Sequence, residues 1–375
     1  MTRYLLRGRV LTPARALEPG TVLVEGGRVV WVRAGEHRVG GAELLTAPGD
    51  TVAPGFVDLQ VNGFAGYDAT QGTDAIERIS AALTATGVTA FMPTLISRPL
   101  AEGRAFVEAA ARARARGARV LGAHLEGPFL SPRHAGAHDP AEMLEPTPDR
   151  VAAVLAVPPR MTTLAPELPG ALAAIARLHR AGVLVSVGHS AATAEETAAG
   201  FEAGARFVTH LFNAMSPFKQ RQPGLPGAAL MDRRPTVGLI ADGEHVHPLA
   251  MELAIRLRGA RGIALTTDQT TAAGAPPGSH LLGGEEVVSD GRTVRLGDGT
   301  LAGSTATMDG MVRVLAGLGV GLREAVEMAT LTPARALGER RLGRIGAGLP
   351  ADLVVLDSAL RVRVTLIGGQ VCRRD

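Results

Sequence analysis

Short apolar segments alternate with longer helical ones from residue 54 to residue 342, and this alternation constrains the fold more than any other feature. Segments rich in Ala, Leu and Arg separate most of the apolar ones and predict helices, for example Asp74–Thr86, Leu100–Arg116, Gly170–Ala181 and Thr193–Ala203. The predicted strands are Gly55–Val61, Val88–Thr94, Arg119–Leu125, Met161–Ala165, Val183–Val187, Phe207–His210, Thr236–Ala241 and Gly262–Thr267. Eight buried strands joined by helical crossovers predict an α/β fold, a (β/α)8 TIM-like barrel.

The two ends of the chain carry a different pattern, in which short alternating strands are separated by turns. Residues 3–53 include a Gly26-Gly27 pair that suits a hairpin, and residues 351–373 alternate again. Because chain termini often lie close together, we expect both ends to form one small β-sandwich domain. The expected domains are a small β domain, residues 1–53 with 343–375, and a barrel, residues 54–342. The Gly-rich segment 269–304 is expected to form a long loop over the active face.

Composition and charge argue against several classes of protein. Lys and Arg total 39 against 36 Asp and Glu, and no basic block is interleaved with aromatic residues, so we expect no nucleic-acid partner. No apolar stretch approaches the roughly 18 residues of a membrane helix, and the N-terminus lacks an apolar targeting segment. We therefore expect no membrane contact and a soluble, cytoplasmic protein. The single cysteine, Cys372, excludes internal disulfides and thiolate metal sites.

Three ionisable residues end predicted barrel strands: Glu126, His189 and His210. Each has an ordinary explanation on its own, because a strand-end carboxylate can be salt-bridged and a lone histidine is more often structural. Together they lie on the face of a barrel where active sites form. Carboxylate and imidazole ligands suit zinc, iron or manganese, and three protein ligands leave a position open for water.

Asp268 follows the last predicted strand, and two explanations of it remain open. It either caps a helix or turn, or acts as a general base that takes a proton from water and returns it to a leaving group. His124 lies two residues before Glu126, so both side chains point to the same face of the strand and His124 could support the ligand.

Other polar residues in the loops have open explanations too. His245 and His247 could be a metal pair, loop residues or substrate-binding groups. Lys219 and Arg221 suit either a solvated surface or an anion pocket, because guanidinium binds phosphate in a bidentate manner.

Eight short segments occur through the chain in an order that one known family shares. They are PGFVDLQVNG (54–63), HLEGPFL (124–130), GHS (188–190), THLFNAM (209–215), RQPG (221–224), IADGEHVH (240–247), TTD (266–268) and LAGS (301–304). On these segments the chain resembles the N-acetylglucosamine-6-phosphate deacetylase family of the amidohydrolase superfamily. The resemblance implies hydrolysis of an acetamide to acetate and glucosamine 6-phosphate in amino-sugar catabolism. It also implies a homodimer whose interface completes the phosphate site.

The resemblance further implies roles for matching residues. Glu126, His189 and His210 match the family's metal ligands, which implies one divalent ion per subunit, zinc or alternatively Fe, Mn or Co. Asp268 matches the catalytic aspartate. The substrate-contacting positions are matched by His138, His245, Asn213 and Ala214 (both partly through backbone amides), Arg221, and the closing segment Leu301, Ala302 and Gly303.

The end of the first barrel strand departs from many amidohydrolases, which carry His-x-His there for a second metal. This chain has Gln60 and Asn62 instead. Amides replace imidazole poorly as metal ligands, so we predict a single tightly held metal.

Three alternatives to the leading function are considered. Hydrolysis of N-acetylgalactosamine 6-phosphate is the nearest one, because the two sugars differ only at C4. An amidohydrolase for cyclic amides or nucleobases fits the predicted phosphate contacts Asn213 and Arg221 less well. A non-catalytic barrel paralogue is disfavoured, because such a chain would be expected to lack a ligand or the aspartate.

Overall fold

Parallel strands in sequence order form a nearly closed barrel in the computed structural model, which describes residues 2–375. The third barrel position is split into two short strands around Gly122, whose backbone has a left-handed φ of 111°. The barrel strands are Phe56–Val61, Val88–Leu95, Arg119–Val120 with His124–Glu126, Met161–Leu164, Leu184–Val187, Phe207–Val208, Thr236–Leu239 and Ile263–Leu265. The predicted (β/α)8 barrel is therefore confirmed.

The first and last strands meet only at their C-terminal ends. Val61 and Gln269 form an isolated parallel bridge there. The backbone amide of Asp268 donates to the carbonyl of Gln60 at 3.0 Å. This closure brings the Gln60 and Asp268 segments side by side at the rim of the barrel.

Amphipathic helices cover the outside of the barrel. In Ala171–Arg180 the buried positions are Ala171, Ala174, Ile175 and Leu178, the spacing that places side chains on one helical face. The α-helices are Thr73–Leu83, Leu100–Arg112, Pro148–Ala156, Ala171–Arg180, Ala194–Ala203, Gly224–Met231, Pro248–Arg258, Met308–Gly317, Leu322–Ala329 and Leu331–Ala336. None of the helices within residues 2–375 has the length and apolarity to span a bilayer.

A second sheet is built from both ends of the chain. Its eight strands are Gln370–Arg374, Val362–Ile367, Leu353–Leu356, Thr51–Pro54, Arg3–Leu11, Ala16–Glu25, Arg28–Ala34 and Glu43–Leu44. The sheet folds over a shared apolar cluster, so that Val22 and Val29 pack in the same core as Val364 and Leu366. The exact division at residues 53/54 and 342/343 stays a prediction.

The expectation of a long loop at 269–304 was wrong in one respect, because residues 278–304 form an antiparallel sheet. Its strands are Gly278–Leu282, Glu285–Ser289, Thr293–Arg295 and Leu301–Ser304. The sheet buries its own small cluster, including Leu282, Val287 and Val294, against Ile96 of the barrel. Burial of this apolar face explains why a Gly-rich segment is ordered here.

Candidate active site

The four ionisable residues predicted at strand ends lie at the C-terminal rim of the barrel. Glu126 is the last residue of its strand, and the other three follow their strands within three residues. His189, His210 and Asp268 all have left-handed backbones, with φ of 46°, 29° and 52°. Such conformations cost free energy for residues other than glycine and concentrate at functional sites.

Glu126, His189 and His210 converge on one point. His210 Nε2 lies 3.1 Å from Glu126 Oε1 and 3.0 Å from His189 Nε2. His189 Nε2 lies 3.4 Å from the same Glu126 oxygen. His138 is close too, because atoms of Glu126, His138 and His189 that could bind a metal all lie within 4.8 Å of one another. The site therefore offers a possible Glu/His/His metal centre.

Hydrogen bonds fix the tautomers of two of these rings. His189 Nδ1 lies 3.0 Å from the carbonyl oxygen of His134, which only accepts, so Nδ1 carries the proton and the neutral ring has its lone pair on Nε2. That lone pair faces the Glu126 carboxylate, an arrangement that a cation between them would stabilise. The donor set thus fits a divalent metal ion.

His138 has the opposite tautomer. Its Nδ1 accepts a hydrogen bond from the backbone amide of Ser97 at 3.0 Å, so the proton of the neutral ring is on Nε2. His138 Nε2 lies 3.7 Å from Glu126 Oε2. Burial, reinforced by the nearby His189, lowers the pKa of His138 to about 4, so the ring is a neutral donor at pH 7.

Asp268 is held by the two amides that replace the expected histidine pair. Gln60 Nε2 lies 3.0 Å and Asn62 Nδ2 lies 2.7 Å from Asp268 Oδ1. Burial, followed by the negative charge of Glu126, raises the pKa of Asp268 to about 6. Asp268 therefore has an elevated proton affinity, which suits a group that takes up and releases a proton near neutral pH.

A cavity of about 450 Å³ opens above these groups. The predicted site residues that line it are Glu126, His189, His210, Asp268, Asn62, His138, Asn213, Ala214, His245, Leu301 and Gly303. Gln60 lies beneath its floor, hydrogen-bonded to Asp268, and Ala302 is fully buried between its lining neighbours. The structure thus brings most of the predicted site together.

Two of the implied substrate contacts are not reproduced within the cavity of one copy of the chain. Arg221 is exposed and does not line the cavity of its own chain. The backbone amide of Asn213 donates to the carbonyl of His210 at 3.0 Å and is not free for a ligand. Both depend on the course of the loop after His210, which the sequence does not specify.

The structure separates His245 from His247. His245 lines the cavity, with Nδ1 2.7 Å from Asp242 Oδ2. His247 instead accepts from the amide of Leu249 at 3.2 Å and caps the helix Pro248–Arg258. The two histidines therefore do not form a metal pair.

Several lining residues were not anticipated from the sequence, notably Arg133, Phe212 and Ile240. Arg133 and His134 follow the segment HLEGPFL by only a few residues. Proximity to that segment was the available signal, but it gave no indication of which side chains reach the cavity.

Known proteins resemble this chain over nearly its whole length. The model of the amidohydrolase family matches residues 51–372. N-acetylglucosamine-6-phosphate deacetylase of Bos taurus is 39% identical over 96% of this chain and 94% of its own, and N-acetylgalactosamine-6-phosphate deacetylase of Escherichia coli O157:H7 is 41% identical over 86% and 88%.

Solved structures agree. An N-acetyl-D-glucosamine-6-phosphate deacetylase variant from Mycobacterium smegmatis, in complex with N-acetyl-D-glucosamine-6-phosphate, superposes with a TM-score of 0.94 at 38% identity, covering 100% of both chains. The family resemblance predicted from short segments is thus confirmed by the whole chain. The chain belongs to the amidohydrolase family and, within it, to the group that contains the N-acetylglucosamine-6-phosphate deacetylases.

Proposed function

We propose that this protein hydrolyses the acetamide of N-acetylglucosamine 6-phosphate to acetate and glucosamine 6-phosphate. One observation carries the proposal: Asp268 and the Glu126, His189 and His210 cluster share the floor of a cavity of about 450 Å³. The relatives that match the chain over most of its length are amino-sugar-phosphate deacetylases.

Glu126, His189 and His210 would hold one divalent ion, zinc or alternatively Fe, Mn or Co. When bound, such an ion polarises an amide carbonyl and lowers the pKa of an adjacent water. Gln60 and Asn62 direct their amide nitrogens to carboxylates rather than offering imidazoles, which supports one ion per subunit.

Asp268 moves the proton. Gln60 and Asn62 both donate to its Oδ1, which leaves Oδ2 to accept a proton from the attacking water. The raised pKa helps Asp268 to retain that proton and then deliver it to the departing amine. One group thereby serves as base and acid in turn.

His138 stabilises charge that develops on the carbonyl oxygen. Its Nε2–H points to the Glu126 side of the site, and the amide of Ser97 fixes the ring from behind. A neutral donor positioned before the reaction needs no reorganisation when the oxyanion forms.

A homodimer would complete the phosphate site. Phe218, Met231, Leu253 and Leu257 form an exposed apolar surface, the Phe218 surface, with Phe218 54% and Met231 74% exposed. Exposed apolar patches of this kind mark interaction sites, and Arg221 lies only three residues from Phe218. A second copy covering this surface would place the segment around Arg221 at the interface, and we propose that its guanidinium completes the phosphate site of the partner cavity.

The preference of this protein between the gluco and galacto epimers at C4 of the sugar can be measured directly. Relatives named for the gluco and galacto substrates are similarly identical to this chain, at 39% and 41%. Acetate release should therefore be measured with both N-acetylhexosamine 6-phosphates and with unphosphorylated N-acetylglucosamine. Faster turnover of the gluco phosphate is expected, and absence of acetate from the gluco phosphate would overturn the proposal.

A further inference from the structure

Arg133 lines the catalytic cavity although none of the family segments includes it. It is exposed at the cavity rim, in the short 3-10 turn Pro132–His134. Within residues 2–375, it is the one Arg or Lys among the residues that line this cavity. The role of its positive charge is not explained by the chemistry at the floor.

Two hydrogen bonds hold the turn that carries Arg133 against a predicted metal ligand. The amide of Ser131 donates to the carbonyl of His189 at 2.9 Å, and His189 Nδ1 donates to the carbonyl of His134 at 3.0 Å. Pro132 further restricts the backbone inside the turn. The Arg133 backbone is therefore fixed relative to the catalytic floor.

Charge is distributed unevenly across the cavity. Glu126 and Asp268 lie at the floor, whereas Arg133 lies at the rim. The ion pairs at this site involve Glu126 and Asp242 and leave Arg133 out. A divalent ion at the floor would offset the charges of the two carboxylates, whereas the guanidinium at the rim stays positive, so the anionic tail of a substrate with a neutral amide is attracted to the rim.

We propose that Arg133 binds the 6-phosphate of the sugar from within the same subunit and orients the substrate. The assignment rests on the proposed function, which supplies the phosphate. A guanidinium suits this task because it offers two parallel donors to phosphate oxygens. It would act with Arg221 from a second copy of the chain, so that each subunit contributes one guanidinium.

Binding of glucose 6-phosphate tests the assignment without requiring turnover, because this probe keeps the 6-phosphate and lacks the acetamide. Calorimetry should measure the binding of glucose 6-phosphate to the wild type, Arg133→Ala and Arg133→Lys. Glucose is the unphosphorylated control ligand. Arg38→Ala is the matched control, since Arg38 is an exposed arginine of the terminal sheet region. Arg133→Ala should weaken glucose 6-phosphate binding by about tenfold or more, with partial recovery in Arg133→Lys.

Kinetics separate the assignment from the proposed function. In Arg133→Ala the KM for N-acetylglucosamine 6-phosphate should rise by about tenfold while kcat changes little. Glucose 6-phosphate affinity equal to that of wild type and Arg38→Ala would overturn the role of Arg133. A wild type that binds glucose 6-phosphate through Arg133 yet releases no acetate would keep this assignment and overturn the proposed function instead.

Discussion

Gln60 Nε2 lies 3.0 Å from Asp268 Oδ1, and the same nitrogen lies 2.9 Å from Glu126 Oε1. One amide thus joins the proposed base to a proposed metal ligand. The two carboxylates repel each other, and the partial positive charge of the amide reduces that repulsion. We therefore predict that Gln60 acts in the site through this amide, beyond the absence of a second-metal histidine.

Removing this amide should impair chemistry more than binding. Gln60→Ala leaves Asp268 with Asn62 as its remaining side-chain donor and should lower kcat by about 10- to 100-fold. The KM should change little, because Gln60 does not line the cavity. Metal content must be measured beside kcat, and a variant with normal metal content and wild-type kcat would refute the role.

Asp268→Asn should abolish the proton transfer and leave the metal in place. Asparagine keeps the shape of the side chain but cannot take a proton, so kcat should fall by about 10²- to 10⁴-fold. Metal analysis after dialysis should still give one equivalent per subunit in both proteins. Two equivalents in the wild type would contradict the single-metal proposal, and near-normal turnover would remove Asp268 as the base.

The barrel and the floor of the site were predictable from the sequence because both depend on local pattern. Apolar strand segments fix the parallel barrel, and its topology brings every strand's C-terminal end to one face. Glu126 and Asp268, more than a hundred residues apart in the chain, are placed together by this rule alone. No distance between them had to be known.

Part of the rim was not predictable, because it depends on contacts between distant loops. Arg133 reaches the cavity through a turn bonded to His189, whereas Arg221 lies outside the cavity of its own chain. The hairpin at residues 278–289 was missed for a different reason. Its Gly283-Gly284 pair is a hairpin signal, but the surrounding glycines favoured a loop.

A substitution at Gly303 tests how tightly the strand Leu301–Ser304 supports Asp268. Its φ is +62°, and an added Cβ would lie 2.7 Å from the carbonyl oxygen of Asp268 and 2.6 Å from Thr270. Gly303→Ala should therefore displace the Asp268 segment, costing about 1–3 kcal/mol of unfolding free energy and lowering kcat. Gly297→Ala is the control, because nothing lies within 4 Å of its added Cβ. Equal stability and kcat in the two variants would show that the strand tolerates the methyl group.

The buried carboxyl of Asp58 is expected to make the stability of the protein depend on pH. It is fully buried and accepts from Thr267 Oγ1 at 2.6 Å, next to Asp268. Burial raises its pKa from 3.8 to about 7 despite the Thr267 hydrogen bonds, and the charge of Asp268 adds to the increase. The folded state therefore binds more protons than the unfolded state between these values, so this carboxyl makes the unfolding free energy fall as pH rises from about 4 to 7.

Asp58→Asn removes that ionisation and should flatten this part of the pH profile. The unfolding free energy of the variant relative to wild type should therefore improve from pH 5 to pH 7 and level off above pH 7, with any constant cost of the amide unchanged across the range. Denaturant unfolding with a chelator in every sample keeps metal binding from adding its own pH dependence. Asp74→Asn, at an exposed helix position, is the control, and parallel profiles for wild type and Asp58→Asn would contradict the prediction.

The Phe218 surface should be the dimer interface. Met231→Asp places a charge on a side chain that is 74% exposed in one copy, so the monomer should fold while the dimer is lost. If a second copy supplies Arg221, the KM for the sugar phosphate should rise together with dissociation. Leu318→Asp alters another exposed apolar residue, 44% exposed on a different helix end, and should leave the dimer intact. Light scattering and kinetics on the same samples decide the matter, and a Met231→Asp dimer with unchanged KM would place the interface elsewhere.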